Sequence, residues 1–229
     1  MGEVFLSIFS YAYRILPYLG VTFQYVILSL FFGAILASIV AYLKLKGNRV
    51  LRAVANGYTT LMRCIPSIVM LFLVYYIIPA FLRSWFGIEF SSTDTMFFVV
   101  LTFTLLLGGF LSETMRGAYQ AVDKGQTEAA VSAGLTSFQA FYRITLPQAF
   151  YYSIPNLGNT VIFLFKEGAL AFTIGLVDVM GRAYRLSAMT MGGDILKIYI
   201  ALTLIYWPLA IILEQLFKRL EKKAGGLWS

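Results

Sequence analysis

The chain has 229 residues, 59% apolar and 17% aromatic, and only 13% charged with a formal net charge of +7, whereas soluble domains carry about 25% charged residues. That composition excludes an ordinary soluble domain, and the absence of histidine removes the usual Ser/His and Cys/His catalytic arrangements and the commonest metal ligand. No catalytic residue or metal site is expected, and with no Lys/Arg run interleaved with aromatics outside the apolar segments, no nucleic-acid partner is expected either.

Met1-Gly2-Glu3-Val4-Phe5 carries an acid where a signal peptide carries basic residues, so no cleaved leader is expected. Residues 3–16 read as an interfacial helix with Tyr11, Tyr13 and Tyr18 at headgroup depth. The uncharged runs 15–43, 64–82, 95–112, 144–165 and 198–213 reach or approach the roughly 20 residues that cross hydrocarbon. They predict five spans, at 18–42, 58–82, 96–118, 154–177 and 196–217, in one membrane domain covering 1–229, with a short mobile tail over 221–229. The predicted fold class is an all-α integral membrane protein with five transmembrane helices.

An odd number of spans puts the termini on opposite sides. With the N-terminus outside, the inner segments hold eleven cations, four between Lys44 and Arg52, three among Arg116, Lys124 and Arg143, and four between Lys218 and Lys223. The outer side holds five, Arg14, Arg83, Arg182, Arg185 and Lys197. The positive-inside rule then makes the C-terminus and the polar island 123–147 cytoplasmic.

Within the island, Asp123-Lys124-Gly125 reads as a turn, and Thr127 is placed to cap a short helix over 128–133, with the Glu128 carboxylate near the positive end of its dipole. Gly134 supplies a stop, and Thr136-Ser137-Phe138-Gln139 has capping-box spacing for a second short helix that Pro147 should end. Small residues at Ala129 and Ala130 let a partner approach the backbone, and Phe138, Phe141 and Tyr142 offer anchors. A plain re-entrant connection is the competing reading.

The pattern Glu128-Ala129-Ala130, Gly134, Ile144 and Leu146-Pro147 resembles the EAA loop of membrane subunits of bacterial ATP-binding-cassette importers. Seven fixed positions match by chance with probability on the order of 10⁻⁸ per starting point. Ser112-Glu113-Thr114-Met115-Arg116-Gly117 followed by Val122 to Ala130, Arg63-Cys64-Ile65-Pro66, and Asn159 with Lys166-Glu167-Gly168-Ala169-Leu170-Ala171 are similar to runs in the polar amino acid permeases of that class. Cys64-Ile65 replaces a small Gly-Thr pair and Gly168 stands where a hydroxyl residue is usual, both where substrate could be read.

The resemblance implies a type I importer permease fold and ATPase coupling through Glu128, Ala129, Ala130, Gly134, Leu146 and Pro147. It implies a cytoplasmic ATPase dimer as partner, a second permease copy or homologue, and an extracytoplasmic solute-binding protein. The implied cargo is a polar amino acid crossing the bacterial plasma membrane, with cystine or a similarly bulky one as the narrower expectation. No G-x-x-x-x-G-K-[ST] sequence occurs, so ATP and magnesium are expected in the partner and no cofactor in this chain. Gradient-driven secondary transport is the alternative, and its inverted repeats and paired broken helices are not found.

Lys166 and Glu167 sit near the midpoint of the fourth predicted span, where a lysine costs roughly 2.5 to 3.5 kcal/mol. Adjacent residues are about 100° apart on a helix, so the two need separate partners: groups of a bound amino acid, or interhelical pairs holding the bundle. Glu113 and Arg116, three apart, pair with each other, or leave Glu113 to substrate while Arg116 braces the loop. Cys64 is a membrane-core thiol or a substrate contact. Arg63 beside Pro66 snorkels or gates, and Asn159 is a further gating or structural candidate. Gly33, Gly108, Gly109, Gly158 and Gly168 read as close-packing positions.

Overall fold

The computed structural model describes residues 2–90 and 94–225, and all regular structure among them is helical. Helix α1 (Gly2–Ile15) buries Ile8, Tyr11 and Ile15, spaced three and four apart on one stripe. Pro17 lies in a 3-10 turn (Leu16–Tyr18) that leads into α2 (Leu19–Lys46). Helix α3 (Arg49–Cys64) is capped by Asn48, whose Oδ1 accepts from the Leu51 amide at 2.9 Å. Helix α4 (Ser67–Phe86) follows Pro66, α5 is Thr95–Ala121, and α8 (Leu146–Gly168) runs into a 3-10 segment (Ala169–Ile174). Helices α9 (Val179–Met189) and α10 (Ile195–Gly225) complete the C-terminal part.

Among the described residues, five helical runs are long and apolar enough to cross a membrane: Gly2–Lys46, Ser67–Phe86, Thr95–Ala121, Ser137–Ile174 and Ile195–Ala224. The second starts at Ser67, not at 58. Pro66 keeps the preceding residue out of the helical region, so residues 58–64 belong to the separate helix α3. The fourth starts well before 154, because the helix passes through Pro147 instead of ending there. Residues 221–225, expected as a loose tail, continue α10, and 226–229 lie outside the described residues.

The chain divides into two compact units. One gathers the segment up to Phe32, Ile65–Thr104 and Val161–Ile212. Its core packs the α1 stripe with Val179, Ala183 and Leu186 of α9 and Ile198, Ala201, Leu202 and Ile205 of α10. The other gathers Gly33–Cys64, Leu105–Thr160 and the segment from Leu213 onward. Here α5 approaches α2 and α3 closely: a Cβ added to Gly33 would stand 2.7 Å from Leu107, and one on Gly109 2.7 Å from Met62. A smaller cluster of Ala118, Val122 and Ala149 lies where α5 and α8 meet.

Candidate functional site

The polar island folds as a helix-turn-helix. Its first helix, α6 (Lys124–Ser132), is one turn longer than expected because Asp123, not Thr127, is the cap; Asp123 Oδ1 accepts from the Gly125 amide at 2.8 Å. Gly134 ends this stretch with φ +96°, while the Leu135 amide donates to the Ala130 carbonyl at 3.1 Å and the Gly134 amide to that of Val131 at 3.0 Å. Thr136 then opens α7 (Ser137–Ala140) with the expected reciprocal box. The Gln139 amide donates to Thr136 Oγ1 at 3.2 Å, and the Thr136 amide to Gln139 Oε1 at 2.9 Å.

Between α7 and α8 lies one π-helical turn, Phe141–Thr145. Pro147 has no amide hydrogen and is accommodated in the first turn of α8. Two polar clips tie α6 to this junction: Thr127 and Thr145 share a hydroxyl hydrogen bond at 3.0 Å, and Gln148 Nε2 donates to Gln126 Oε1. Thr145 and Gln148 are buried. Glu128 and Ala129 are exposed and Ala130 half-buried, so the Glu-Ala-Ala run forms an open helical edge. Phe138 and Tyr142 add two exposed, stacked rings, 11° from parallel. Leu146 is exposed and Pro147 half-buried.

In the same unit, Glu113 is not a free carboxylate. Arg116 grips Oε2 through Nε at 2.9 Å and a terminal nitrogen at 2.7 Å, and its other terminal nitrogen donates to Gln120 at 2.6 Å. Lys44, at the end of α2, donates to Glu113 Oε1, with only 2% of its side chain exposed. The sequence places Lys44 only among the cations of the inner segments. Its position two residues before the helix end is compatible with an intramembrane partner, but the positive-inside reading gives no reason to look for one. Arg63 and Cys64 end α3, exposed and outside the second span, and Pro66 caps α4. Tyr58, also on α3, donates to the Leu105 carbonyl at 2.5 Å, and burial pushes its phenol up to about 12.

Helix α8 carries an exposed polar stripe that includes Asn156 and Asn159, three apart, and Lys166, seven residues beyond Asn159. Lys166 is exposed and Glu167 half-buried, and neither makes an ion pair or side-chain hydrogen bond among the described residues. The interhelical pair expected as one alternative for them is absent within the described chain. Asn156 is absent from the sequence-derived candidates, although its three-residue spacing to Asn159 is a signal that identifies it.

Two acids beyond the predicted spans have defined roles. Asp194 accepts from Lys197 Nζ and from the Tyr11 hydroxyl, each at 2.6 Å, and these donors hold its carboxyl below the usual range. Asp178 caps α9 by accepting from the Gly181 amide at 2.8 Å and is wholly buried. Burial pushes its carboxyl up to about 6, against the lowering pull of the backbone amides.

Among known proteins, a sequence profile described as "Binding-protein-dependent transport system inner membrane component" matches residues 29–226. The chain is 40% identical over 206 residues to the L-cystine transport system permease protein TcyL of Bacillus subtilis (strain 168), covering 90% of this chain and 85% of that one. It is 34% identical over 226 residues to the probable amino-acid permease protein YxeN of the same organism, covering 96% of both. Among solved structures, an amino acid ABC transporter crystallised with histidines superposes with a TM-score of 0.82 at 27% identity, over 96% of this chain and 98% of that one. The inward-facing MetNI methionine ABC transporter has a TM-score of 0.66 at 17% identity over 92% and 94%, a likeness of fold alone.

Proposed function

From the premise that this chain belongs to the family of inner-membrane components of binding-protein-dependent transport systems, we propose that it is the membrane subunit of an ABC importer for a polar amino acid. Members of this family are multi-pass membrane subunits and not enzymes. Cystine is the first substrate to try, since the TcyL and TcyB permeases of Bacillus subtilis are named for it and are 40% and 35% identical to this chain.

The observation that carries the reading is the exposed Glu128-Ala129-Ala130 edge, held rigid by the Asp123 cap, the Gly134 stop and the Thr136 box. An exposed helix with small residues at its contact edge and two stacked rings beside it fits a groove in a cytoplasmic ATPase, which would hold ATP and magnesium. Movement of α6 reaches α8 through the Thr127–Thr145 and Gln126–Gln148 clips. The N-terminus lies outside and the C-terminus inside, supported by the excess of cations on the inner segments. Residues 1–229 act as one membrane domain, since α2, α5, α8 and α10 each contribute to both compact units.

The polar stripe of α8 faces the translocation pathway, completed by a second copy or a homologue, and Lys166 and Glu167 meet the charged ends of the amino acid there. Their lack of partners among the described residues supports this, because an unpaired intramembrane charge needs water, cargo or another subunit. Arg63, Cys64 and Pro66 flank the entrance to the second span and shape access to it. A solute-binding protein delivers cargo from outside.

Mass spectrometry of proteins copurifying with the tagged chain in mild detergent, beside Glu128→Arg, tests the coupling. An ABC ATPase present with the native chain and lost from the variant is expected. No ATPase with either form would overturn the reading in favour of gradient-driven transport, for which uptake would fall with an uncoupler and survive ATP depletion.

A further inference from the structure

In the unit that holds the N-terminal segment, two tyrosine hydroxyls are closed off from solvent and have no hydrogen-bond partner among the described residues: Tyr25 on α2 and Tyr206 on α10. Tyr25 is 0% exposed. Its hydroxyl lies beside the Thr22 and Asp178 side chains without meeting hydrogen-bond geometry with either, and Tyr206 is within electrostatic reach of the same carboxylate. A Cβ added to Gly168, the last residue of α8, would stand 2.3 Å from the Tyr25 hydroxyl oxygen, so α8 closes the cluster on another side.

The acceptors are under-filled too. Asp178 Oδ1 takes the Gly181 amide, but Oδ2 is 3.5 Å from Thr22 Oγ1, and Thr22 Oγ1 is 3.5 Å from the Val179 amide. A hydroxyl in a direct bond to oxygen sits at about 2.7 to 2.8 Å, so these groups surround one another without closing. Stranded buried hydroxyls are rare, and each calls for a polar partner. Two donors without acceptors facing two acceptors with spare lone pairs match the four-fold bonding capacity of water. Arg182, whose Nε is likewise buried without a partner among the described residues, lies over the Tyr18 ring at 5.4 Å and does not bond to the Asp178 carboxylate.

We propose that Tyr25, Tyr206, Asp178 and Thr22 enclose an ordered water molecule, which accepts from the two tyrosine hydroxyls and donates to the Asp178 and Thr22 oxygens. The site joins α2, the end of α8, the start of α9 and α10. A bridging water can exchange partners at low cost when such elements shift, which a dry contact cannot do. The site lies outside the coupling loop and does not depend on the transport reading.

Radiolytic hydroxyl-radical labelling read by mass spectrometry, on the full chain in lipid nanodiscs, tests it, because a radical formed from bound water modifies the side chains it touches. Tyr25 is expected to label at least about five-fold faster than the equally buried Phe98 and Phe103, whose rings offer no polar group to hold a water. Tyr206→Phe, which deletes one donor and keeps the ring, should slow Tyr25 labelling at least about two-fold. Tyr25 labelling no faster than Phe103 would overturn the site. So would fast labelling unchanged in Tyr206→Phe, since the radicals would then come from bulk solvent.

Discussion

Lys44→Met retains most of the side-chain volume and deletes one charge from the Lys44–Glu113–Arg116 network. Removing one partner of a buried ion pair costs about 3–5 kcal/mol, because the other charge is left uncompensated. Glu113 keeps the Arg116 fork at 2.7 and 2.9 Å, and its side chain is 24% exposed, so the expected loss is nearer 2 kcal/mol. Glu113→Gln should be more damaging, about 3–4 kcal/mol, because Lys44 is 2% exposed and has no other hydrogen-bond partner among the described residues. If the pair interacts directly, the double variant loses at least about 1.5 kcal/mol less than the sum of the single losses. Unfolding by SDS titration in mixed micelles measures all three variants against the native chain. Additivity within about 0.5 kcal/mol would refute the network as an energetic unit and leave Glu113 paired with Arg116 alone.

Gly134→Ala meets open space but must hold φ near +96°, so a loss of about 1–2 kcal/mol, localised to the α6–α7 turn by hydrogen exchange, is expected. Gly134→Pro cannot reach that φ and also loses the amide bonded to Val131, so the protein should insert in the membrane but lose ATP-driven uptake; an unaltered uptake rate would refute the role of the turn. Gly158→Ala would bring a Cβ to 2.7 Å from the Phe217 ring carbon and should cost about 1–3 kcal/mol in the same SDS titration, whereas Gly57→Ala, with nothing within 4 Å, should be neutral or gain up to about 1 kcal/mol. Asp178 holds its proton in the folded state up to about pH 6, while the unfolded chain releases it near its ordinary value of 3.8. Stability should therefore fall as pH rises between those values, by at most about 3 kcal/mol, and Asp178→Asn should flatten that part of a melting curve taken against pH.

Much of the fold was legible because long uncharged runs have few physical outcomes. The Gly134 stop and the Thr136–Gln139 box were readable because each needs only residues within one turn. The errors came where two local signals competed. Asp123 and Thr127 are both good caps, and Asp123 prevails, leaving the Thr127 hydroxyl for Thr145, eighteen positions away. Residues 58–64 are apolar enough to extend a span, yet Pro66 breaks the helix after them. Asp178, Tyr25 and Tyr206 went unremarked, and Lys44 counted only as an inner cation, because their significance lies in tertiary neighbours, and a lone acid or tyrosine carries no periodic signature.

The π turn at Phe141–Thr145 has a consequence for phase. Such a turn holds one residue more than a regular helix spanning the same ends. Were the turn to relax to ordinary helical winding with every residue kept, α7 would swing by about 100° relative to α8. The rings of Phe138 and Tyr142 would then point along a different compass bearing from the membrane span that follows, though every cap and clip on α6 kept its sequence. The extra residue acts as a vernier. It sets the angle at which the cytoplasmic edge is presented without altering the apolar face of the span, so deleting one residue here should leave the bearing of the loop unchanged, whereas a deletion within α8 would turn the loop relative to the span.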